Sequence, residues 1–137
     1  MSAETFSTKL VWEGGDDIRA HRVEMGAEVL HGSSAPGFGG DPDKANPEEM
    51  MLGAISSCHM LWFIAYARAK RHPVSAYVDK AEIVLEEDRF TSGFLGPEIE
   101  FEGDRPDDEF IAGLHERAHK ACFVANSVNF PVTVEPR

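Results

Sequence analysis

The first third of the chain alternates between apolar and polar residues in short stretches that predict three β-strands. Residues 5–13 and 18–25 flank a turn rich in Gly and Asp, which predicts a hairpin. Residues 27–31 are predicted to form a third short strand. Residues 32–45 are rich in Gly, Pro, Ser and Asp, and this composition predicts a long surface loop of the kind that often carries function.

A strong helical pattern follows this loop. Asn46 suits the N-cap, Pro47 suits the first helical position, and Glu49 completes a capping box. The helix is predicted to end near Arg71, before Pro73. Its apolar residues recur at helical spacing and form one stripe: Met51, Ala54, Ile55, Cys58, Leu61, Trp62 and Ala65.

The remaining sequence predicts strands on either side of a second helix. Residues 74–85 are predicted to form one long strand. In residues 98–102 polar and apolar residues alternate, which predicts a strand with one solvent-exposed face. The second helix opens at the acidic segment 106–109, and Cys122 stands at the far end of its apolar stripe. Val132 and Val134 indicate a short final strand. The order predicts a single α+β domain over residues 1–137, with a mostly antiparallel sheet packed on two helices.

Composition narrows the range of functions. The net charge of -11 argues against nucleic acid and against anionic lipid as partners, since both need a basic surface. No signal peptide is visible, and the longest apolar run, residues 60–67, is too short to span a bilayer. We therefore expect a cytoplasmic protein without a membrane partner. Because cytosolic thiols stay reduced, we expect its two cysteines to be core residues, metal ligands or redox groups rather than a structural disulfide.

The two cysteines, Cys58 and Cys122, lie on the inward stripes of different helices, so their thiols meet if the helices pack together. Redox chemistry would also need a thiolate at neutral pH. Cys58 is about three turns inside its helix, beyond the reach of the helix dipole, so an arginine is the most plausible activating group. Glu48 precedes Cys58 by ten residues, roughly 15 Å along a helix. The two could share a site only across a subunit interface or a helix break.

The histidines near the cysteines raise the question of a metal site. Cys58 with His59 and His119 with Cys122 offer four potential ligands. Adjacent helical residues point about 100° apart, so we do not expect these four to converge on one ion. His115 and His119 share a helix face, for which we favour a solvated or capping role. Ser56 and Ser57 are interpreted as small residues that permit close helix packing.

Two motifs resemble those of the OsmC/Ohr family of osmotically inducible and organic-hydroperoxide-resistance proteins. The first begins Asn46-Pro47-Glu48-Glu49 and continues with the segment 54–59, which contains Cys58. The second is the segment 118–128, which contains Cys122. The resemblance extends from the N-terminal hairpin to the last strand. It implies two sheets enclosing central helices in an intertwined homodimer, with each active site at the subunit interface.

The resemblance also implies a chemistry. Cys58 matches the peroxidatic cysteine, Cys122 the resolving cysteine, and Glu48 the glutamate that holds an arginine near the thiolate. The Ohr branch has that arginine directly after a Gly-Gly turn, where this chain has Asp16. Arg19 is our candidate for the missing arginine, with Arg22 as the alternative.

The expected activity is therefore a thiol peroxidase that reduces an organic hydroperoxide through a Cys58–Cys122 disulfide. An external dithiol of the lipoyl type would restore the enzyme, and no bound cofactor or metal is expected. The alternative is a non-catalytic dimer that binds a small apolar ligand and carries inert cysteines.

Overall fold

A computed structural model describes residues 3–136, and its contacts divide the chain into an N-terminal unit ending at Met50 and a C-terminal unit beginning at Met51. The N-terminal unit contains an antiparallel sheet of three strands, β1 (Lys9–Trp12), β2 (His21–Met25) and β3 (Glu28–Gly32), in that order. All three predicted strands are present. The first is shorter than predicted chiefly because residues 5–8 pair with no strand. The second is shorter because the connection is wider than a tight turn, with the Trp12 indole donating to the Ile18 carbonyl at 3.1 Å. The predicted loop contains one short 3-10 helix, Pro36–Phe38.

The long helix α1 runs from Pro47 to Ala69 and has a well-defined signal at each end. The Asn46 side chain accepts a hydrogen bond from the Glu49 amide at 2.9 Å, which confirms the predicted N-cap. At the other end Arg71 adopts a left-handed conformation, with φ 66°, and the His72 amide donates back to the Ala67 carbonyl. This is the Schellman arrangement, usually built on glycine, and it terminates the helix close to the predicted position.

The C-terminal unit has five strands and one further helix, α2 (Asp108–Ala121). The strands β4 (Val74–Asp79) and β7 (Pro97–Phe101) form an antiparallel pair. A second sheet has the order β5 (Glu82–Glu86), β6 (Arg89–Leu95) and β8 (Val132–Val134). The β5–β6 pair is antiparallel and the β6–β8 pair is parallel.

The prediction of one long strand over residues 74–85 was wrong. The chain leaves the first sheet after Asp79 and enters the second at Glu82, so β4 and β5 belong to different sheets. The Asp79 carboxylate holds this crossing by accepting hydrogen bonds from the Gly96 amide at 2.7 Å and from the Ser56 hydroxyl of α1. Strand β6 was missed because its sequence, with a serine and a glycine at its centre, lacks a clear two-residue period.

Two apolar clusters hold the C-terminal unit together. The larger one joins α1, α2, β4 and β7, and its buried members are Phe63, Ala67, Ile99, Ile111, Leu114 and Ala118. The smaller one joins the middle of α1 to the second sheet, through Ile55, Leu95, Phe130 and Val132.

By length and composition α1 could also cross a bilayer, a criterion that core helices of soluble proteins satisfy as well.

Candidate active site

The structure brings the two cysteines together from separate helices. Cys58 lies in the middle of α1 and is half-buried, whereas Cys122 follows the last residue of α2 and is 0% exposed. Both are free thiols. They are near enough for the Cys58 thiol to contribute to the raised pKa of Cys122. Cys58 therefore lies within interaction range of Cys122, and one thiol of the pair is more accessible than the other.

The surroundings of Cys122 keep its thiol protonated. Burial raises its pKa to about 11, with the neighbouring Cys58 thiol adding to the rise. The Ala125 amide donates to Cys122 Sγ at 3.4 Å and opposes this shift without cancelling it. The thiolate is the nucleophilic form of cysteine, so Cys122 is poorly suited to attack a substrate at neutral pH. Cys58 is the more solvent-accessible member of the pair.

Aromatic side chains flank the thiol pair. Trp62 lies one turn after Cys58 in α1, and Phe123 directly follows Cys122. Their rings meet edge to face with centroids 5.5 Å apart. Tyr66 also stacks on Trp62, and the guanidinium of Arg117 lies 4.1 Å from the Tyr66 ring centroid. The surface beside the thiols therefore presents apolar rings to an approaching molecule.

Two histidines of the same two helices form a buried pair, one of which, His59, follows Cys58 in the chain. His59 Nε2 and His115 Nδ1 are 3.0 Å apart, and the two side chains are 1% and 4% exposed. Burial lowers the pKa of each imidazole to about 4, so both are neutral at pH 7. The prediction of a solvated or capping role for His115 was therefore wrong. The helical period could have indicated burial, because His115 lies one residue after the core residue Leu114 and three before Ala118.

The arrangement of these histidines and cysteines does not form a metal centre. Within residues 3–136 no three side chains of His, Cys, Asp or Glu are placed to hold one ion. Ser56, interpreted from sequence as a packing residue, instead donates its hydroxyl to Asp79. No local pattern singles out Asp79, since its hydrogen-bond partners come from α1 and from the turn before β7.

The remaining predicted residues lie in the N-terminal unit. Arg19 donates from Nε to the Phe38 carbonyl at 3.1 Å, and Arg22 forms ion pairs with Glu13 and Glu24 at 3.4 and 3.0 Å. Glu48 lies in the first turn of α1. Because α1 is continuous over the ten residues that follow, no helix break carries Glu48 to Cys58 of the same chain. The roles of Arg19 and Glu48 beside the thiol stay predictions.

Comparison with known proteins identifies the family. Residues 40–137 match the family model described as OsmC-like protein, which covers more than half of the chain. This chain belongs to the OsmC-like family. The resemblance found in the two cysteine motifs is thus confirmed, and the predicted α+β class is confirmed as the OsmC-like fold. No curated protein matches the sequence.

Solved OsmC-like structures superpose over nearly the whole chain. An OsmC-like protein of unknown function from Vibrio cholerae is 28% identical, with a TM-score of 0.92 and coverage of 98% of this chain and 100% of that one. An organic hydroperoxide resistance protein from Elizabethkingia anophelis is 21% identical, with a TM-score of 0.74 and coverage of 99% of both chains. One from Bacillus subtilis is 19% identical, with a TM-score of 0.69 and coverage of 96% and 98%. At these lower identities the last two show the shared fold alone.

Proposed function

We propose that this OsmC-like protein is a thiol peroxidase that reduces organic hydroperoxides. The observation that carries the proposal is the juxtaposition of two free thiols from separate helices, one half-buried and the other fully buried. A pair of inert core cysteines would need no such asymmetry. A redox pair needs it, because one sulfur must meet the substrate and the other must wait to close the disulfide.

The reaction divides into three balanced steps. The Cys58 thiolate attacks the terminal oxygen of the hydroperoxide, the O–O bond breaks, and the alkoxide leaves as an alcohol after taking a proton. Cys122 then attacks the sulfur of the Cys58 sulfenic acid. The S–O bond breaks, a disulfide forms, and the hydroxide leaves as water with the Cys122 proton. An external dithiol, of the lipoyl type in our proposal, reduces the disulfide and is itself oxidised to a cyclic disulfide.

Activation of Cys58 is assigned to Arg19 held by Glu48, in a homodimer that brings Glu48 of one chain to the thiol of the other. Ten residues of continuous helix separate Glu48 from Cys58 in the same chain, which supports a site shared between subunits. Arg22 is the weaker candidate since two carboxylates already pair with it. Exposed apolar side chains on α1, such as Leu61 at 62%, support a partner subunit on this helix. A cytoplasmic location, where dithiol reductants are available, completes the proposal.

The aromatic surface beside the thiols supports an organic substrate. The contact between Trp62 and Phe123 offers apolar area for an alkyl or aryl group, which hydrogen peroxide lacks. Solved relatives named organic hydroperoxide resistance proteins share the fold. We therefore expect a lower KM for an organic hydroperoxide than for hydrogen peroxide.

A peroxide-consumption assay with cumene hydroperoxide and a dithiol tests the proposal, using Cys58→Ser and Cys122→Ser as a matched pair. Cys58→Ser should abolish turnover, whereas Cys122→Ser should accumulate a sulfenic acid that dimedone traps. Wild-type turnover no faster than the reaction of the dithiol alone would refute the enzymatic role. Mass spectrometry after one equivalent of hydroperoxide separates the alternatives: loss of two hydrogens supports the redox role, and an unchanged mass supports a non-catalytic ligand-binding protein.

A further inference from the structure

The buried histidine pair, His59 and His115, is an unusual element of the helix interface. Within residues 3–136 it is the one nitrogen–nitrogen or nitrogen–oxygen hydrogen bond between side chains that joins α1 to α2. Apart from this pair and the contact of the Arg117 guanidinium with the Tyr66 ring, the interface is built from apolar residues such as Phe63 and Leu114. The Phe63 ring packs on the His115 ring with centroids 4.4 Å apart. The hydrogen bond between the two imidazoles is thus buried among apolar side chains of both helices.

The histidine pair stabilises the interface less than two apolar side chains of similar volume would. His59 Nδ1 and His115 Nε2 are both buried without a hydrogen-bond partner. A buried polar atom without a partner costs free energy that an apolar side chain of similar volume would not. Buried polar contacts are best attested as devices that specify one register between helices, because their geometry is directional whereas apolar packing tolerates sliding. The histidine pair is therefore better explained as a contact that sets the register between α1 and α2.

The register that the pair selects is the one that brings the cysteines together. His59 is the residue after Cys58 in α1, and His115 lies seven residues, two helical turns, before Cys122 at the end of α2. A slip of one turn moves a helix by about 5.4 Å, which would break a 3.0 Å contact between the rings. The same slip would separate the two sulfurs, and a disulfide tolerates only a narrow range of separations.

We propose that His59 and His115 are positioning residues, which hold α1 against α2 in the register that allows Cys58 and Cys122 to form a disulfide. The proposal rests on the proposed function in assigning this disulfide to a catalytic cycle. The pair acts through the helix contact and does not touch the substrate. Its effect falls on the closing step, since the attack of Cys58 on a hydroperoxide does not require Cys122 to be near.

Two pairs of substitutions separate the hydrogen bond from the size of the side chain. His59→Leu and His115→Leu remove the polar contact. His59→Gln keeps a polar atom near the position of Nε2, and His115→Asn keeps one at the position of Nδ1, so each can still reach its partner. His31→Gln, on an exposed histidine of β3, is the control for the loss of an imidazole elsewhere.

The measurement is the equilibrium between the Cys58–Cys122 disulfide and glutathione, which gives the effective concentration of one thiol for the other. It needs no hydroperoxide, so it remains valid if the peroxidase role fails. We expect each leucine variant to lower the effective concentration about tenfold, the loss expected for one hydrogen bond. The Gln, Asn and control variants should stay within about threefold of wild type.

Kinetics provide the second measurement. After a hydroperoxide pulse, the leucine variants should form the sulfenic acid at the wild-type rate and convert it to the disulfide about tenfold more slowly. A merely destabilised protein would instead show a lower unfolding midpoint with an unchanged effective concentration. Wild-type values of both quantities in His59→Leu would overturn the proposal. So would His59→Gln closing as slowly as His59→Leu, which would assign the imidazoles to proton transfer. Absence of sulfenic acid in Cys122→Ser after the same pulse would refute the peroxidase role alone.

Discussion

Acid should destabilise this protein through its two buried imidazoles. The pKa of His59 and His115 is lowered from 6.5 to about 4, chiefly by burial, so the folded state resists protonation. For His59, electrostatic repulsion from His119 lowers the pKa further, and Asp79 opposes this effect. The unfolded chain binds protons at both positions below pH 6.5, while the native chain does so only below about pH 4. The stability present above pH 6.5 is therefore lost as pH falls from 6.5 to about 4.

The magnitude follows from the size of the shift. One pKa unit corresponds to about 1.4 kcal/mol, so a displacement of about two and a half units is worth roughly 3 kcal/mol for each imidazole. At pH 4.5 most of that loss has occurred. For a protein of ordinary stability, about 5–15 kcal/mol, two such losses are a large fraction of the total.

Urea unfolding at pH 7 and pH 4.5, at one fixed protein concentration, measures this loss. The double variant His59→Gln/His115→Asn removes both titrating groups while retaining polar atoms, so its stability should fall less by several kcal/mol over the same interval. Carboxylates contribute equally to the fall in both proteins and cancel in the difference. His31→Gln should follow the wild type. An equal fall in the double variant and the wild type would refute the assignment of the acid sensitivity to this pair.

Three further substitutions test how local contacts hold the site's helices. Asn46→Ala should lower the free energy of unfolding by about 1 kcal/mol, because it removes the N-cap of α1. Asn46→Ser retains a capping oxygen and should not lower it. Equal values for the two variants would contradict the capping role. Ser56→Ala should cost about 1–2 kcal/mol in chemical unfolding, since it leaves the half-buried Asp79 carboxylate short of a donor, and no change would mean that water replaces the hydroxyl. Arg71→Gly should raise the thermal midpoint, with a gain of up to about 1 kcal/mol, because glycine adopts φ 66° without a steric penalty. Lys70→Gly is the control and should not stabilise the protein, because the φ of Lys70 is not in the left-handed region.

Much of the fold could be predicted because its signals are local. The N-cap at Asn46, the basic residues and proline after α1, and the acidic first turn of α2 each act over a few residues. The division of residues 74–85 between two sheets was not predicted, because apolar residues at Tyr77, Ile83 and Leu85 continue the alternation across the break, although Asp79 and Lys80 are poor strand formers. The break depends on Asp79, whose hydrogen-bond partners are 23 and 17 residues away in the chain.

In the candidate site, too, some features follow from the sequence and others from tertiary packing. The sequence alone determined which sulfurs are available, on which helices they lie, and which family motifs surround them. Tertiary packing decided that the thiols are neighbours, that Cys122 is the buried one with the raised pKa, and that His59 contacts His115 across 56 residues. Periodicity and capping depend on interactions within a turn or two of backbone, so a sequence expresses them directly. Burial, desolvation and contact between helices depend on how distant segments pack, and only the folded chain specifies that arrangement.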